Sequence, residues 1–100
     1  MKSMADELAH EHAKPYLDEL ARRQRASYRD RRILAALCLL YEGHPVATRD
    51  IHTAWSDRVH VGGTENGLQH LRVLGMASSP GRGWVPTLAG LHANAAFTSA

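Results

Sequence analysis

The run ILAALCLLY, residues 33–41, is the feature that most limits how this chain can fold. Such a run forms a helix that is apolar on nearly every side, and that helix is stable only when other elements cover more than one of its faces. The run has nine residues, whereas a helix needs roughly 20 to cross a bilayer. The sequence therefore predicts a core built around a central helix.

The length of 100 residues and the hydrophobic content of 44% predict a single domain. The segment after Met1 lacks the basic and apolar stretches of a secretory signal, so we expect a cytoplasmic protein with no membrane partner. The single cysteine, Cys38, lies inside the apolar run. Its position predicts a small buried side chain and not a reactive thiol.

Local signals divide the first half of the chain into helices. Residues 4–26 are rich in Ala, Leu, Glu and Arg and predict a helix that Pro15 kinks or restarts. Ser27 and Asp30 have the spacing of a capping box. They predict that the central helix runs over residues 28–42.

Three threonines are placed to cap the later helices. Thr48 precedes a predicted helix over residues 49–55. Thr64 precedes a predicted helix over residues 65–74, and Thr87 precedes the last helix. The connection before Thr64, residues 56–63, is long and ends in Gly-Gly, whereas the other loops are short. We therefore expect one compact unit.

Two extended segments lie between the last two helices. Residues 76–78 and 84–86 predict short antiparallel strands, and the Gly- and Pro-containing residues 79–83 predict the turn that joins them. A further extended link is predicted at residues 45–47. The resulting order is helix, short strand, helix, turn, helix, strand, turn and strand, followed by the last helix.

The predicted helix over residues 65–74 has two different faces. Leu68, Leu71 and Leu74 recur at helical spacing and are expected in the core. Gly67 lies beside these leucines, where the missing side chain lets a second helix approach. The polar residues that remain for solvent or a ligand are Glu65, Asn66, Gln69, His70 and Arg72.

The segments LRVLGMA and GRGWVPTLAG resemble the recognition helix, strand and wing of the winged helix-turn-helix family. The stretch ILAALCLLYEGHPVATRDIHTAW is also similar to the C-terminal winged-helix domain of archaeal origin-recognition initiators, whereas the whole chain resembles small dimeric transcription repressors. The resemblance implies a mainly α fold with a small β-hairpin. It divides the chain into an N-terminal helical extension (1–27), a winged helix-turn-helix domain (28–90) and a C-terminal helix end and tail (91–100).

This resemblance implies a dimeric transcription regulator, with repression as the expected role, that binds specific sequences in double-stranded DNA. The helix over residues 65–74 would enter the major groove, where Asn and Gln can bond to adenine and His or Arg to guanine. The wing, residues 79–83, would contact the backbone or minor groove, which we favour over the alternative that it is simply a solvent-exposed turn. The DNA-binding candidates are Arg58, His60, Thr64, Asn66, Gln69, His70, Arg72 and Arg82.

Charge is distributed unevenly along the chain. Residues 21–32 contain six arginines and one aspartate, whereas residues 1–20 contain two lysines and five carboxylates. The arginine cluster either binds a polyanion or pairs with the acidic segment before it. The remaining residues carry four arginines and four carboxylates. One copy would therefore neutralise few phosphates.

Weak binding by one copy favours a homodimer that reads two half-sites. The terminal helices supply the candidate dimerisation residues, which are Leu8, Leu17, Leu20 and Leu91. The alternative is that these leucines pack on the central helix of their own chain.

The sequence contains no motif of an enzyme, a phosphate-binding loop or a dinucleotide site. His10 and His12 are two residues apart, which places them on different sides of a helix, so we expect no metal site and no cofactor. Nothing in the sequence identifies a small-molecule effector. A second hypothesis is a winged-helix module for protein–protein interaction or a replication-origin-binding accessory protein. The balanced charge of residues 33–100 and the presence of Glu65 would suit an interaction module. The salt dependence of binding distinguishes this hypothesis from the regulator.

Overall fold

The computed structural model describes residue 18 and residues 20–56 and 60–99. Over these residues the protein is mainly helical, with five helices and one antiparallel hairpin, as the sequence predicts. The first helix, α1, is described over residues 20–25. The other elements are α2 (Tyr28–Leu40), α3 (Thr48–Trp55), α4 (Val61–Val73), β1 (Ala77–Gly81), β2 (Gly83–Pro86) and α5 (Leu88–Thr98). The predicted break at Pro15 lies outside the described residues.

Helix α2 is the centre of the core. It contacts α3, α4, α5 and β2, so its apolar surface is covered on several sides. Ile33, Leu34 and Leu37 have no exposed surface, which confirms the prediction from the apolar run. Leu39 is the exception, because its side chain is 80% exposed. None of the helices in the described part of the chain has both the length and the apolar character that spanning a membrane requires.

The predicted capping box begins α2. The Ser27 hydroxyl accepts a hydrogen bond from the Asp30 amide at 3.1 Å, and the Asp30 carboxylate accepts one from the Ser27 amide at 3.0 Å. These two hydrogen bonds satisfy two amides at the start of the helix that have no partner within it. At its other end the helix stops at Leu40, two residues before the predicted end, because Tyr41 is extended.

Two of the predicted helix caps are wrong. Helix α3 starts at Thr48 itself, with Ala47 in the cap position, and no side chain caps it. Helix α4 starts at Val61, so Thr64 lies within the helix and His60 occupies the cap position. Both threonine hydroxyls instead accept hydrogen bonds from tryptophan side chains, so each threonine links its helix to another element.

The hairpin is longer than predicted and has a third partner. In the hairpin, Ala77 pairs with Pro86 and Gly81 pairs with Gly83, which leaves Arg82 alone at the tip. The predicted extended link also joins the sheet, since Val46 and Trp84 exchange two backbone hydrogen bonds of 2.8 Å.

Thr87 caps α5 as predicted, accepting a hydrogen bond from the Gly90 amide at 3.0 Å. Gly90 lies directly against the backbone of Met76, where a Cβ atom would overlap the Met76 carbonyl oxygen. Ala93 is fully buried, whereas Leu88 is 70% exposed. The last helix is therefore fixed to the start of the hairpin through small residues.

Candidate functional site

The outer face of α4 carries the two amide side chains that the sequence singles out. Asn66 and Gln69 are exposed, while Leu68 and Leu71 have no exposed surface and Leu74 has 2%. This confirms that the leucines point inward and the amides outward. Arg72 and Glu65 are also exposed on this helix, so a cation and an anion flank the amides.

Val73 belongs to the same outer face, although the sequence analysis did not select it. It lies four residues after Gln69 and seven after Asn66, which places the three side chains on one side of the helix. Its side chain is 71% exposed. The signal that could have identified it is its spacing of four residues from Gln69, which places both side chains on one side of the helix.

Thr64 lies on the opposite side of α4 and is fully buried. Its hydroxyl accepts a hydrogen bond from Trp55 Nε1 at 2.8 Å and lies 2.7 Å from His52 Nδ1. The predicted cap at Thr64 would have placed this residue beside a bound phosphate; instead, Thr64 fastens α3 to α4. The partners come from a different helix, so no local pattern could have revealed them.

His70 is held by a carboxylate on α2. Its Nδ1 lies 2.5 Å from Asp30 Oδ2, and the Asp30 side chain is fully buried while that of His70 is 38% exposed. Sequence reasoning identified Asp30 as a helix cap and missed this second contact. The two residues are 40 positions apart, so only the packing of α2 against α4 brings them together.

Gly67 explains how Asp30 reaches α4. A Cβ atom at this position would overlap the end of the Ile33 side chain, so the glycine allows α2 and α4 to approach closely, as predicted. Arg29 also lies here, with its Nη2 atom 3.6 Å from Asp30 Oδ1 and its side chain 43% exposed. Part of the arginine cluster therefore adjoins the candidate recognition helix.

Two other arginines of the cluster are engaged with aromatic rings. The Arg31 guanidinium lies 4.6 Å from the centre of the Phe97 ring. Arg32 donates a hydrogen bond of 3.0 Å to the Tyr28 hydroxyl. These contacts are made within the protein and support α2 and its packing against α5.

Arg82 is exposed at the hairpin tip between two glycines. In the described part of the chain, its guanidinium has no hydrogen-bond or ion-pair partner. The adjoining Gly83 has a φ of +90°, and a Cβ atom there would lie 2.9 Å from the Val46 carbonyl oxygen. Glycine at position 83 therefore permits both the tight turn and the pairing of the hairpin with the extended link.

The remaining predicted site residues are only partly described. His60 is exposed immediately before α4, and Arg58 lies outside the described residues. Leu8 and Leu17 also lie outside them, whereas Leu20 is half-buried and Leu91 is 41% exposed. The leucine interface stays a prediction.

Cys38 does not contribute a reactive group at neutral pH. Burial raises the pKa of its thiol from 9.0 to about 11, so the thiol stays protonated. Among the residues for which coordinates are described, no three His, Cys, Asp or Glu side chains are grouped as metal ligands.

The groups at the outer face of α4 are thus two amides flanked by a guanidinium, a carboxylate and the Val73 side chain, with a guanidinium at the tip of the adjoining hairpin. Helix α4 packs against β1, so the helix and the hairpin form neighbouring surfaces of one core. Comparisons with protein-family models, curated proteins and solved structures find no match to this chain.

Proposed function

We propose that this protein is a winged helix-turn-helix regulator that binds specific sequences in duplex DNA. The observation that carries the proposal is the outward position of Asn66 and Gln69 on a helix whose opposite face is packed in the core. Side chains on such a helix reach base edges without rearrangement of the fold. Helix α4 is the proposed recognition helix.

The order of the elements supports this proposal. Helices α3 and α4 are joined through the hydrogen bonds of Thr64 to Trp55 and His52, so the first helix holds the second at a fixed angle. The hairpin follows α4 directly and pairs with the link at Val46. In the proposed arrangement, α3 and α4 form the helix-turn-helix and the hairpin is the wing.

The chemistry of the outer face suits the major groove. An Asn or Gln amide can bond to the N6 and N7 atoms of adenine, and an apolar side chain can contact the thymine methyl group. Asn66, Gln69 and Val73 supply these groups on one side of α4. We therefore propose a binding site in which A·T base pairs contact this face.

The exposed guanidinium groups suit the phosphate backbone. In the proposed complex the exposed Arg82 at the hairpin tip and Arg29 beside α4 contact phosphates, whereas Glu65 opposes an anion. With few cations per copy, tight binding at physiological salt requires two copies. We propose a homodimer that reads half-sites about 34 Å apart.

The test begins with selection of bound duplexes from a random pool, followed by measurement of the dissociation constant across a salt series. Asn66→Ala and Gln69→Ala are expected to weaken binding to the selected site by roughly 1 to 3 kcal/mol and to relax its sequence preference. Arg82→Ala is expected to weaken binding to every duplex and to lower the salt slope by about one per copy. Gln24→Ala is the control, since Gln24 is exposed on α1.

Equal binding by all of these variants and the parent would overturn the proposal. If no duplex binds while a protein partner binds with little dependence on salt, the interaction-module hypothesis is favoured instead. Mass measurement of the complex in solution tests the proposed dimer.

A further inference from the structure

The contact between Asp30 and His70 indicates where a hydrogen of the imidazole lies. Asp30 Oδ2 accepts a hydrogen bond from the Ser27 amide at 3.0 Å, and His70 Nδ1 lies 2.5 Å from the same oxygen. Because this carboxyl oxygen already acts as an acceptor, we assign the hydrogen of the contact to Nδ1. The buried carboxylate thus selects the tautomer in which Nδ1 is protonated.

The other ring nitrogen is left for an external partner. Nε2 has no hydrogen-bond partner among the residues that the structure describes, and the His70 side chain is 38% exposed. His70 lies four residues after Asn66, so its ring borders the outer face of α4. With Nδ1 tied to Asp30, Nε2 is the ring atom available to a ligand.

We propose that Asp30 is a positioning residue that acts through His70 and makes Nε2 a specificity-determining contact with a base edge. The inference rests on the proposed function. In a neutral ring with Nδ1 protonated, Nε2 is an acceptor. The partner of this neutral ring in the major groove is the amino group of adenine or cytosine, which donates a hydrogen bond. The guanine contact expected from sequence needs a donor at Nε2, which only the doubly protonated ring supplies.

The tautomer is tested on the protein without DNA. Long-range proton–nitrogen NMR correlations of the histidine rings at about pH 8 distinguish protonation at Nδ1 from protonation at Nε2 in the neutral ring. His70 is expected to show a single tautomer with the proton on Nδ1, whereas His92, exposed on α5, serves as the unconstrained control. A His70 ring protonated on Nε2 would overturn the inference whether or not the protein binds DNA.

The base contact is tested by two substitutions, each of which places an amide near only one of the two ring nitrogens of His70. In His70→Asn the shorter amide reaches only toward the position of Nδ1, while in His70→Gln the amide reaches the position of Nε2. On the selected duplex, His70→Asn is expected to weaken binding about threefold to tenfold, the effect of one hydrogen bond. His70→Gln is expected to retain more of the affinity. Thermal unfolding of both variants shows whether they fold.

A base analogue that lacks the exocyclic amino group completes the test. At the contacted position it is expected to weaken binding by the parent protein but not by His70→Asn, because the partner of Nε2 is then already lost. Specific binding by the parent with no effect of either substitution would overturn the inference and leave the proposed function intact. Failure of the parent to bind any duplex would overturn the proposed function, and with it the base contact.

Discussion

The Asp30 carboxylate links the start of α2 to the middle of α4, since Oδ2 accepts the Ser27 amide at 3.0 Å and lies 2.5 Å from His70 Nδ1. A cap at the surface of a protein normally stabilises only its own helix. Here the Asp30 half of the capping box is fully buried, and its loss would also remove a contact between two helices.

Asp30→Ala is expected to lower the free energy of unfolding by about 2 to 4 kcal/mol, because it removes the hydrogen bond from the Ser27 amide and the His70 contact together. Ser27→Ala removes only the other hydrogen bond of the capping box and is expected to cost about 1 kcal/mol. Urea unfolding measures both. Glu42→Ala, at an exposed position after the end of α2, is the control and is expected to change stability by less than about 0.5 kcal/mol. Equal losses for Asp30→Ala and Ser27→Ala would contradict the buried link.

The glycines give a graded test of packing. Gly90→Ala meets the Met76 backbone, which cannot rotate away, so the expected loss is about 2 to 4 kcal/mol. Gly67→Ala meets the movable end of the Ile33 side chain, and the expected loss is about 1 to 2 kcal/mol.

Gly62→Ala is the matched control for these two substitutions. A Cβ atom there meets nothing within 4 Å, so helix propensity is expected to raise stability by up to about 1 kcal/mol. Thermal unfolding of the three variants gives the order. A Gly90→Ala protein as stable as the parent would show that α5 does not lie against Met76.

Thr64→Val tests the junction between α3 and α4. The substitution keeps the shape of the side chain but leaves the Trp55 indole N–H without its acceptor, so an expected loss of about 1 to 3 kcal/mol follows. Thr53→Val removes an exposed hydroxyl from α3 and is the control. Equal unfolding midpoints for the two variants would contradict the buried role of Thr64.

The raised pKa of the Cys38 thiol predicts that the free energy of unfolding decreases at alkaline pH. The thiol pKa is 9.0 when unperturbed, and burial raises it to about 11 in the folded protein. Above the lower value the unfolded chain releases the proton while the folded chain keeps it, so the unfolding free energy falls as pH rises from 9.0 toward about 11. Urea unfolding over this range is expected to show a steeper fall for the parent than for Cys38→Ala. Parallel curves would refute the buried thiol.

Local signals in the sequence were sufficient for much of the fold. The capping box, the inward leucines of α4 and the cap at Thr87 all depend on residues within one helix or one turn, and all three are confirmed. The extended link was also located correctly, although its pairing with Trp84 was not anticipated. Period and cap chemistry therefore predicted which elements form.

The errors arose where a polar side chain has a distant partner. Threonine is a residue type that often caps helices, but Thr64 accepts a hydrogen bond from α3 and lies inside a longer helix. The Asp30–His70 contact likewise joins residues 40 positions apart. A sequence pattern does not specify such contacts because they depend on how closely two helices approach, which here is determined by Gly67.

Backbone NMR during titration with a selected duplex tests whether α4 and the hairpin form the DNA-binding surface. The largest amide shifts are expected on two segments, the exposed face of α4 from Gly62 to Val73 and the hairpin tip around Arg82, with little change in α5. Largest shifts on α5, or no shifts at any duplex concentration, would contradict the claim that α4 and the hairpin form a DNA-binding surface.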